Sequence, residues 1–239
     1  MRFVLVVAFF AISFSVLAAP KFSATVFQRP FTMPTNSFES SLSFDRGNFL
    51  KLGMDYGITD HTQIGLSWGG FSTAGADATQ SVSLNLAQFL FVTHYASSMA
   101  KFSMPFNFDR MVLNRIDFGM PTYVPVIRGH FNLVFLENLA SLKWKEETLA
   151  EFAFHVRFSW QATHALCLNL TTSPGTVRTA GNHVHMGSIL PVSAMAIYAV
   201  TPMVDIIADA GFGDVTDIRN LENFSMMLGV LVRGGDIEG

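Results

Sequence analysis

The chain has 239 residues, of which 50% are hydrophobic and only 14% are charged. An average soluble domain is roughly a quarter charged, so this composition argues against an ordinary soluble globule, and its abundance of apolar residues excludes a disordered chain. The 15 basic and 18 acidic residues give a net charge of −3 without a basic run, which argues against a nucleic-acid partner.

The amino terminus has the layout of an export signal. Arg2 is followed by about 15 apolar residues and then by small ones, which predicts a secretory signal peptide at 1–18 that is cleaved after Ala18. The alternative is an uncleaved membrane anchor, but the apolar run is slightly short for a span and no basic cluster follows it. We therefore expect the protein to be exported through the inner membrane.

The next segment, 19–36, lacks the regular pattern of the rest of the chain. Pro30 and Pro34 argue against a regular strand in its second half. We predict that this N-terminal segment is a tail, a plug inside the fold or an additional strand-like stretch.

From 37 to 233, apolar and polar residues alternate over most of the chain, which is the pattern of β-strands. The alternation is clearest over 50–58 and 152–160. The apolar positions are large and often aromatic, whereas the others are rich in Gly, Ser and ionisable residues. A transmembrane barrel explains this contrast better than a soluble sandwich, because its apolar face meets lipid and its small polar face lines the interior.

The alternation predicts an all-β fold, a single antiparallel up-and-down transmembrane barrel of about twelve strands, an even number as in bacterial single-chain barrels. A smaller barrel of about ten strands is the alternative, because the pattern is weakest at 99–107 and 112–120. The barrel occupies 37–233, and 234–239 form a C-terminal tail. The predicted strands are 37–45, 48–58, 62–70, 79–93, 99–107, 112–120, 126–136, 148–160, 165–172, 186–200, 204–213 and 223–233.

The connections between these strands fall alternately into two classes. The short class contains 59–61, 94–98, 121–125, 161–164 and 201–203. The other class is mostly longer and contains 46–47, 71–78, 108–111, 137–147, 173–185 and 214–222. This asymmetry matches the short periplasmic turns and longer external loops of outer-membrane barrels. An aromatic-x-x-Thr pattern introduces three of the short turns, which predicts that Tyr56, Trp160 and Tyr198 are interfacial aromatic residues.

Two hairpins carry a resemblance to a known group of proteins. The stretches YGITDHTQIGLSW and YAVTPMVDIIADAGFGD resemble hairpins of Gram-negative outer-membrane barrel proteins, broadly the phenol-degradation-type and porin-like transporters. The resemblance implies a pore or channel for small, often hydrophobic molecules, without a cofactor. Such barrels usually end in an aromatic residue on the last strand, whereas this chain continues past Arg233 as GGDIEG.

One strand face carries the residue types of a hydrolase triad. Glu151, His155 and Ser159 alternate on this face, but four residues of strand span about 13 Å, too far for a nucleophile to hydrogen bond to its base. A triad assembled across strands stays open as an alternative. We predict no catalytic residues.

Two further features point only weakly to chemistry. His183 and His185 offer two imidazoles from one strand face to a metal ion, but no carboxylate lies near them in sequence. Cys167, the single cysteine, excludes an intramolecular disulfide and is predicted to face the interior as a small filler residue. We therefore predict neither a metal site nor a cofactor.

The ionisable residues of the inward face are the candidates for lumen lining and selectivity. A mainly basic set is expected to contain Arg128, His130, His155 and Arg157, with Glu151 further along. An acidic set is expected to contain Asp205, Asp209, Glu39 and Asp55, and the cation Lys51 would partly compensate its negative charge. The two sets lie about five strands apart, so they would face each other across the closed barrel and create a transverse field that favours polar or zwitterionic solutes. The alternative is that these groups pair locally.

The sequence favours a passive pore or transporter for small molecules in the outer membrane. Its partners would be membrane lipid and a small-molecule solute, and a homo-oligomer is compatible with the pattern. The rival from another class is a closed structural or adhesion barrel without transport. An outer-membrane enzyme is the third alternative.

Overall fold

The computed structural model describes residues 23–45, 49–72, 81–107, 112–113, 115–144, 148–180, 183–187, 189–220 and 223–235. These residues form twelve strands, which are numbered here in chain order. The predicted signal peptide at 1–18 lies outside the described residues, as do positions 236–239 of the predicted tail.

Most of the strands are continuous. They are β1 (Ser37–Asp45), β2 (Phe49–Thr59), β3 (Thr62–Ser72), β4 (Ser81–Val92), β5 (Ser97–Asn107), β8 (Thr148–Gln161), β9 (Leu166–Ala180), β11 (Val204–Phe212) and β12 (Phe224–Gly235). Three strands are interrupted, namely β6 (Val112–Leu113, Arg115–Gly119 and Thr122–Ile127), β7 (Phe131–Phe135 and Ala140–Trp144) and β10 (His183–Gly187 and Val192–Thr201).

Each strand pairs antiparallel with the next one along the chain, and the sheet closes between β12 and β1. In this closing pair, Ser37 lies opposite Gly235 and Asp45 lies opposite Met227. The predicted all-β antiparallel barrel is therefore confirmed, with twelve strands rather than the smaller alternative. Closure removes the unpaired edges that an open sheet would expose.

The sixth strand is longer than predicted. The predicted turn at 121–125 lies within β6, which continues to Ile127. Pro121 and Pro125 resemble turn residues in sequence, but β6 is interrupted at the first and shifts register after the second, where a residue without an N–H is tolerated.

The seventh strand begins and ends later in the chain than predicted, because β6 is longer than predicted. The predicted strand 126–136 contains the actual turn at 128–130, and the predicted loop 137–147 contains the second half of β7.

The ninth strand also differs from its prediction, because β9 extends through much of the predicted connection 173–185. Pro174 and Gly175 suggest a turn, but a β-bulge in the pairing of β8 with β9 accommodates them.

The short connections are stabilised by threonine side chains. The Thr93 hydroxyl accepts hydrogen bonds from the N–H groups of Tyr95 and Ala96 at 3.2 and 3.0 Å. The same contact recurs at the Thr of each aromatic-x-x-Thr pattern, namely Thr59, Thr163 and Thr201. Hydroxyl-capped turns of this kind define where a strand ends. We call this side of the barrel the short-turn end and the opposite side the loop end.

The outer surface is apolar. Long hydrophobic side chains remain exposed along strand after strand, including Leu66, Leu84, Phe152, Leu170, Ile206 and Leu228. Tyr56, Trp160 and Tyr198 are exposed on the same surface, close to the short-turn end. Such a continuous apolar surface is far larger than a soluble monomer usually exposes.

Little helix accompanies the barrel. None of the described helices is long and apolar enough to cross a membrane. In the connection 213–223, Asp214 caps the 3-10 helix Val215–Asp217. The side chain and backbone of Thr216 donate hydrogen bonds to this carboxylate, which lowers the pKa of Asp214 below its usual value.

Candidate functional site

The inner face of β1 to β5 is a wall of small polar side chains. Leu66 and Leu84 point outwards, so their neighbours along each strand point into the barrel. The resulting wall carries Ser41, Ser43, Ser67, Ser81, Ser83, Asn85 and Ser103. The lumen on this side is therefore hydrophilic and lined mainly by small groups.

Three adjoining cavities follow this wall, and together they are called the polar route below. One cavity of about 290 Å³ includes Asp45 at the loop end. The next, of about 320 Å³, shares Lys51 with it. A third cavity of about 250 Å³ shares Asp55 with the second and extends to Gln63 near the short-turn end.

Charged side chains of both signs line the polar route. Lys51 and Lys101 make no ion pair with another described residue. Asp55 accepts a hydrogen bond from Gln63 and lies across Gly65, where an added Cβ would overlap its carboxylate oxygen. The route therefore offers charges of both signs to a passing solute, with Lys51, Lys101 and Asp55 among them.

The interruption of β7 brings main chain into the lumen. Residues 136–139, between the two halves of this strand, fold inwards. The carbonyl oxygen of Glu137 shows this, since it lies over the inner face of Gly119. The N–H of Leu136 donates to the carbonyl oxygen of His155 at 3.2 Å, and Asn138 lines the third cavity of the polar route. This inward bulge narrows the barrel at about the middle of β6 and β7.

Replacing Gly119 by alanine is expected to destabilise the barrel by about 1–3 kcal/mol, because the new methyl group would meet a main-chain oxygen that cannot rotate away. Gly175→Ala is the matched control, since nothing lies within 4 Å of the Cβ position there. Denaturant unfolding of both variants in detergent measures the difference. Equal stability of the two variants would contradict this packing of the bulge.

Ion pairs neutralise several of the predicted inward charges. Glu151 pairs with Lys143 at 2.8 Å and with Arg178 at 3.3 Å. Arg157 pairs with Glu137 of the inward bulge at 2.6 Å. This part of the predicted basic set is therefore paired locally, and little uncompensated charge remains there.

The structure places two members of the predicted basic set outside the lumen. Arg128 and His130 lie in the exposed turn 128–130 at the short-turn end, and the Arg128 guanidinium donates to the carbonyl oxygen of His94 at 3.0 Å. They leave the inward face because the turn between β6 and β7 falls at 128–130, inside the predicted strand 126–136. The two predicted walls of opposite charge are therefore not assembled as expected.

The remaining predicted residues lie on their strands without forming a catalytic group. His155 lies on β8 opposite the β-bulge of β9, and Ser159 is buried further along the same strand. Asp209 lies opposite Met195 and makes no ion pair with another described residue. Among the described residues, no hydrogen bond joins Ser159 to a histidine. The side chains of His183 and His185 are outside the described part of the structure.

The described part of the N-terminal segment, residues 23–36, lies inside the short-turn end of the barrel. The carbonyl oxygens of Met33 and Pro34 lie over the inner face of Gly57 on β2. The N–H of Met33 donates to the side-chain oxygen of Gln63 at 3.0 Å. Since Gln63 also lines the polar route, the route ends against this segment.

A buried ion network ties the segment to the opposite wall. The Arg29 guanidinium donates to both carboxylate oxygens of Asp205, at 2.5 and 2.8 Å. Arg233 contacts the same carboxylate at 2.8 Å and pairs with Glu39 at 2.6 Å. Asp205 is fully buried and the two arginines nearly so. The four groups balance one another in charge, which is the condition for keeping charges out of water.

The N-terminal segment crosses the lumen instead of following one wall. Phe31 packs against Tyr123 of β6 and Phe89 of β4, with ring centroids 4.8 and 6.0 Å apart. Only two residues earlier, Arg29 reaches Asp205 on β11, which is five strands from β6 around the barrel. The segment therefore stands between opposing walls.

Sequence reasoning missed the residues that complete this site. Arg29 falls in a segment without alternation, and its partner Asp205 lies 176 positions away. Arg233 and Lys101 alternate with apolar neighbours, which was the available signal for both. Glu137 carried no such signal, because its position depends on the interruption of β7.

Comparisons with known proteins relate the chain to others by structure alone. No family model matches the sequence, and no curated protein matches it either. The NanC porin is similar in structure with a TM-score of 0.56 and 10% identity, covering 82% of this chain and 98% of that one. The KdgM porin has a TM-score of 0.57 and 7% identity, with the same coverage of 82% and 98%.

An outer-membrane channel from Pseudomonas putida F1 extends the likeness over more of the chain. Its TM-score is 0.55 and its identity 9%, covering 91% of this chain and 99% of that one. The fold is that of outer-membrane barrel proteins. Identities this low establish the fold and carry no site residue from one protein to another.

Proposed function

We propose that the protein is an outer-membrane pore for small hydrophilic solutes. The main support is the polar route, because a barrel that does not conduct would be expected to fill its interior with side chains, whereas this one keeps a series of adjoining serine-lined cavities. The structural likeness to porins and a channel supports the same function. The apolar outer surface would contact lipid, and the short-turn end would face the periplasm.

The chemistry of the route supports polar rather than hydrophobic solutes. Hydroxyl and amide groups dominate its wall, and large apolar side chains point outwards instead. Lys51, Lys101 and Asp55 add charges of both signs along the same wall. Solutes that hydrogen bond, or that carry charges of both signs, suit such a lining. This differs from the hydrophobic cargo that the sequence resemblance implies.

Recording the purified, refolded protein in planar bilayers tests the pore. We expect discrete conductance steps, and we expect polar solutes to enter liposomes containing the protein. A correctly folded barrel that gives neither conductance nor uptake under any condition would contradict the proposal. A gel shift on heating verifies that the barrel is folded in the same preparation.

The charges of the route are expected to control ion selectivity. Replacing Lys51 and Lys101 together by glutamate should shift the reversal potential in a salt gradient towards cation preference, because these groups lie along the polar route. Arg128→Glu is the control, since this exposed residue lies in a turn outside the lumen. Equal shifts in reversal potential for the control and the double variant would show that Lys51 and Lys101 do not control the ion selectivity.

A further inference from the structure

The N-terminal segment is attached to the barrel unevenly along its length. Near β1 it is tied closely to the turn between β2 and β3, where Thr32 donates to the carbonyl oxygen of Asp60 and Thr35 donates to the Asp60 carboxylate. The N–H of Asn36 donates to the carbonyl oxygen of Gly57, and the N–H of Ser37 on β1 donates to the carbonyl oxygen of Pro34, both at 3.0 Å. Residues 32–36 therefore form a fixed base.

Residues 23–31 are held in a different way. They add no strand to the barrel, and their polar attachments to the wall involve side chains. Thr25 hydrogen bonds to His164 at 2.7 Å, and the Arg29 pair with Asp205 is the strongest contact because it joins buried opposite charges. Breaking the Arg29 contact would leave this half held by neutral hydrogen bonds and ring packing, while 32–36 keep their attachment.

The barrel wall around Asp205 favours a cationic group in the position of Arg29. Without Arg29, the carboxylates of Glu39 and Asp205 would share Arg233 as their ion-pair partner among the described residues, which leaves one negative charge inside the lumen. Such an uncompensated buried charge is costly. The wall therefore favours the position in which Arg29 contacts Asp205.

We propose that the N-terminal segment is an autoinhibitory plug that closes the short-turn end of the pore and opens by release of residues 23–31 when Arg29 leaves Asp205. This inference rests on the proposed pore function and adds its regulation. In the closed state residues 23–31 cross the lumen between opposing walls, and in the open state only the fixed base 32–36 remains against the wall. The fixed base holds the segment to the barrel in both states.

Cys167 provides a readout of the plug that needs no conductance. It faces inwards on β9, yet it is only 1% exposed, and it lines the same cavity as Val26 and Phe27 of the segment. Release of residues 23–31 would uncover the thiol. The rate at which a small maleimide labels Cys167 in the folded barrel therefore reports the position of the plug.

The first test uses Arg29→Gln, with Arg128→Gln as the matched control outside the lumen. We expect the labelling rate of Cys167 and the fraction of time the channel is open to rise about tenfold or more in Arg29→Gln, and to stay at wild-type values in the control. Wild-type labelling in a folded Arg29→Gln barrel would overturn the plug. A wild-type thiol that reacts as fast as in unfolded protein would do the same.

A locked variant gives the converse test without weakening the ion network. The substitutions Thr25→Cys and His164→Cys, in a Cys167→Ser background, are expected to form a disulfide on oxidation that joins the segment to the turn between β8 and β9. We expect openings to disappear on oxidation and to return with a reductant. An oxidised channel that conducts as freely as the reduced one would overturn the plug.

The two readouts separate this inference from the proposed function. If Arg29→Gln exposes Cys167 but no variant ever conducts, the pore function fails and the movable segment stands. If every variant conducts alike and Cys167 stays equally protected, the pore stands and the plug fails.

Discussion

Leu66→Arg is expected to lower the free energy of unfolding of the barrel in a bilayer by about 2–4 kcal/mol. Leu66 lies near the middle of β3, points outwards and is 55% exposed. An arginine at the bilayer midplane must either leave water or distort the lipid around it. On a water-facing surface the same substitution would change stability by no more than about 0.5 kcal/mol.

The control for this effect is Ile218→Arg. Ile218 is 59% exposed but lies in the connection 213–223, outside the strands. Urea unfolding of both variants refolded into liposomes gives the comparison, because the slope of the transition also shows whether the unfolded states match. Equal small losses would mean that the apolar outer surface does not face lipid.

Asp205→Asn is expected to cost about 3–5 kcal/mol of stability, because it removes the carboxylate that compensates two buried arginines. Arg233 would keep its contact with Glu39, whereas Arg29 would lose its only ion pair among the described residues. Guanidinium unfolding of the refolded protein in detergent, followed by tryptophan fluorescence, measures the loss.

Two further variants show where the cost arises. Asp217→Asn, in the exposed connection 213–223, should change stability by less than about 0.5 kcal/mol. Combining Asp205→Asn with Arg29→Gln should cost clearly less than the two single losses together, since both remove the same contact. Strict additivity would show that Arg29 and Asp205 do not interact in the folded barrel.

The strand pattern could be predicted wherever it depends only on neighbouring residues. Alternation over 50–58 assigned Lys51 and Asp55 to one face and the large apolar residues to the other, and the register of β2 with β1 and β3 agrees with this assignment. The errors in strand boundaries lie at prolines. Pro121 and Pro174 suggest turns, but both lie at interruptions or bulges within strands, where the pairing with a neighbouring strand decides whether a proline fits.

The site was only partly predictable. Glu39, Glu151 and Asp205 could be assigned to one strand face from period two alone, but their partners could not be identified. Lys143 becomes the partner of Glu151 because β7 extends to Trp144, and Glu137 meets Arg157 because β7 is interrupted. Both contacts follow from strand boundaries that the local pattern does not specify.

The sequence by itself determined that this chain forms an antiparallel barrel with an apolar exterior, because alternation is a local property that each strand carries alone. Only the tertiary structure decided which inward charges meet and where the polar route ends. Arg29 and Asp205 are 176 positions apart, and they meet only because the closed barrel brings β11 beside the path of the N-terminal segment. Closure depends on the number and register of all strands together, which no single stretch of sequence contains.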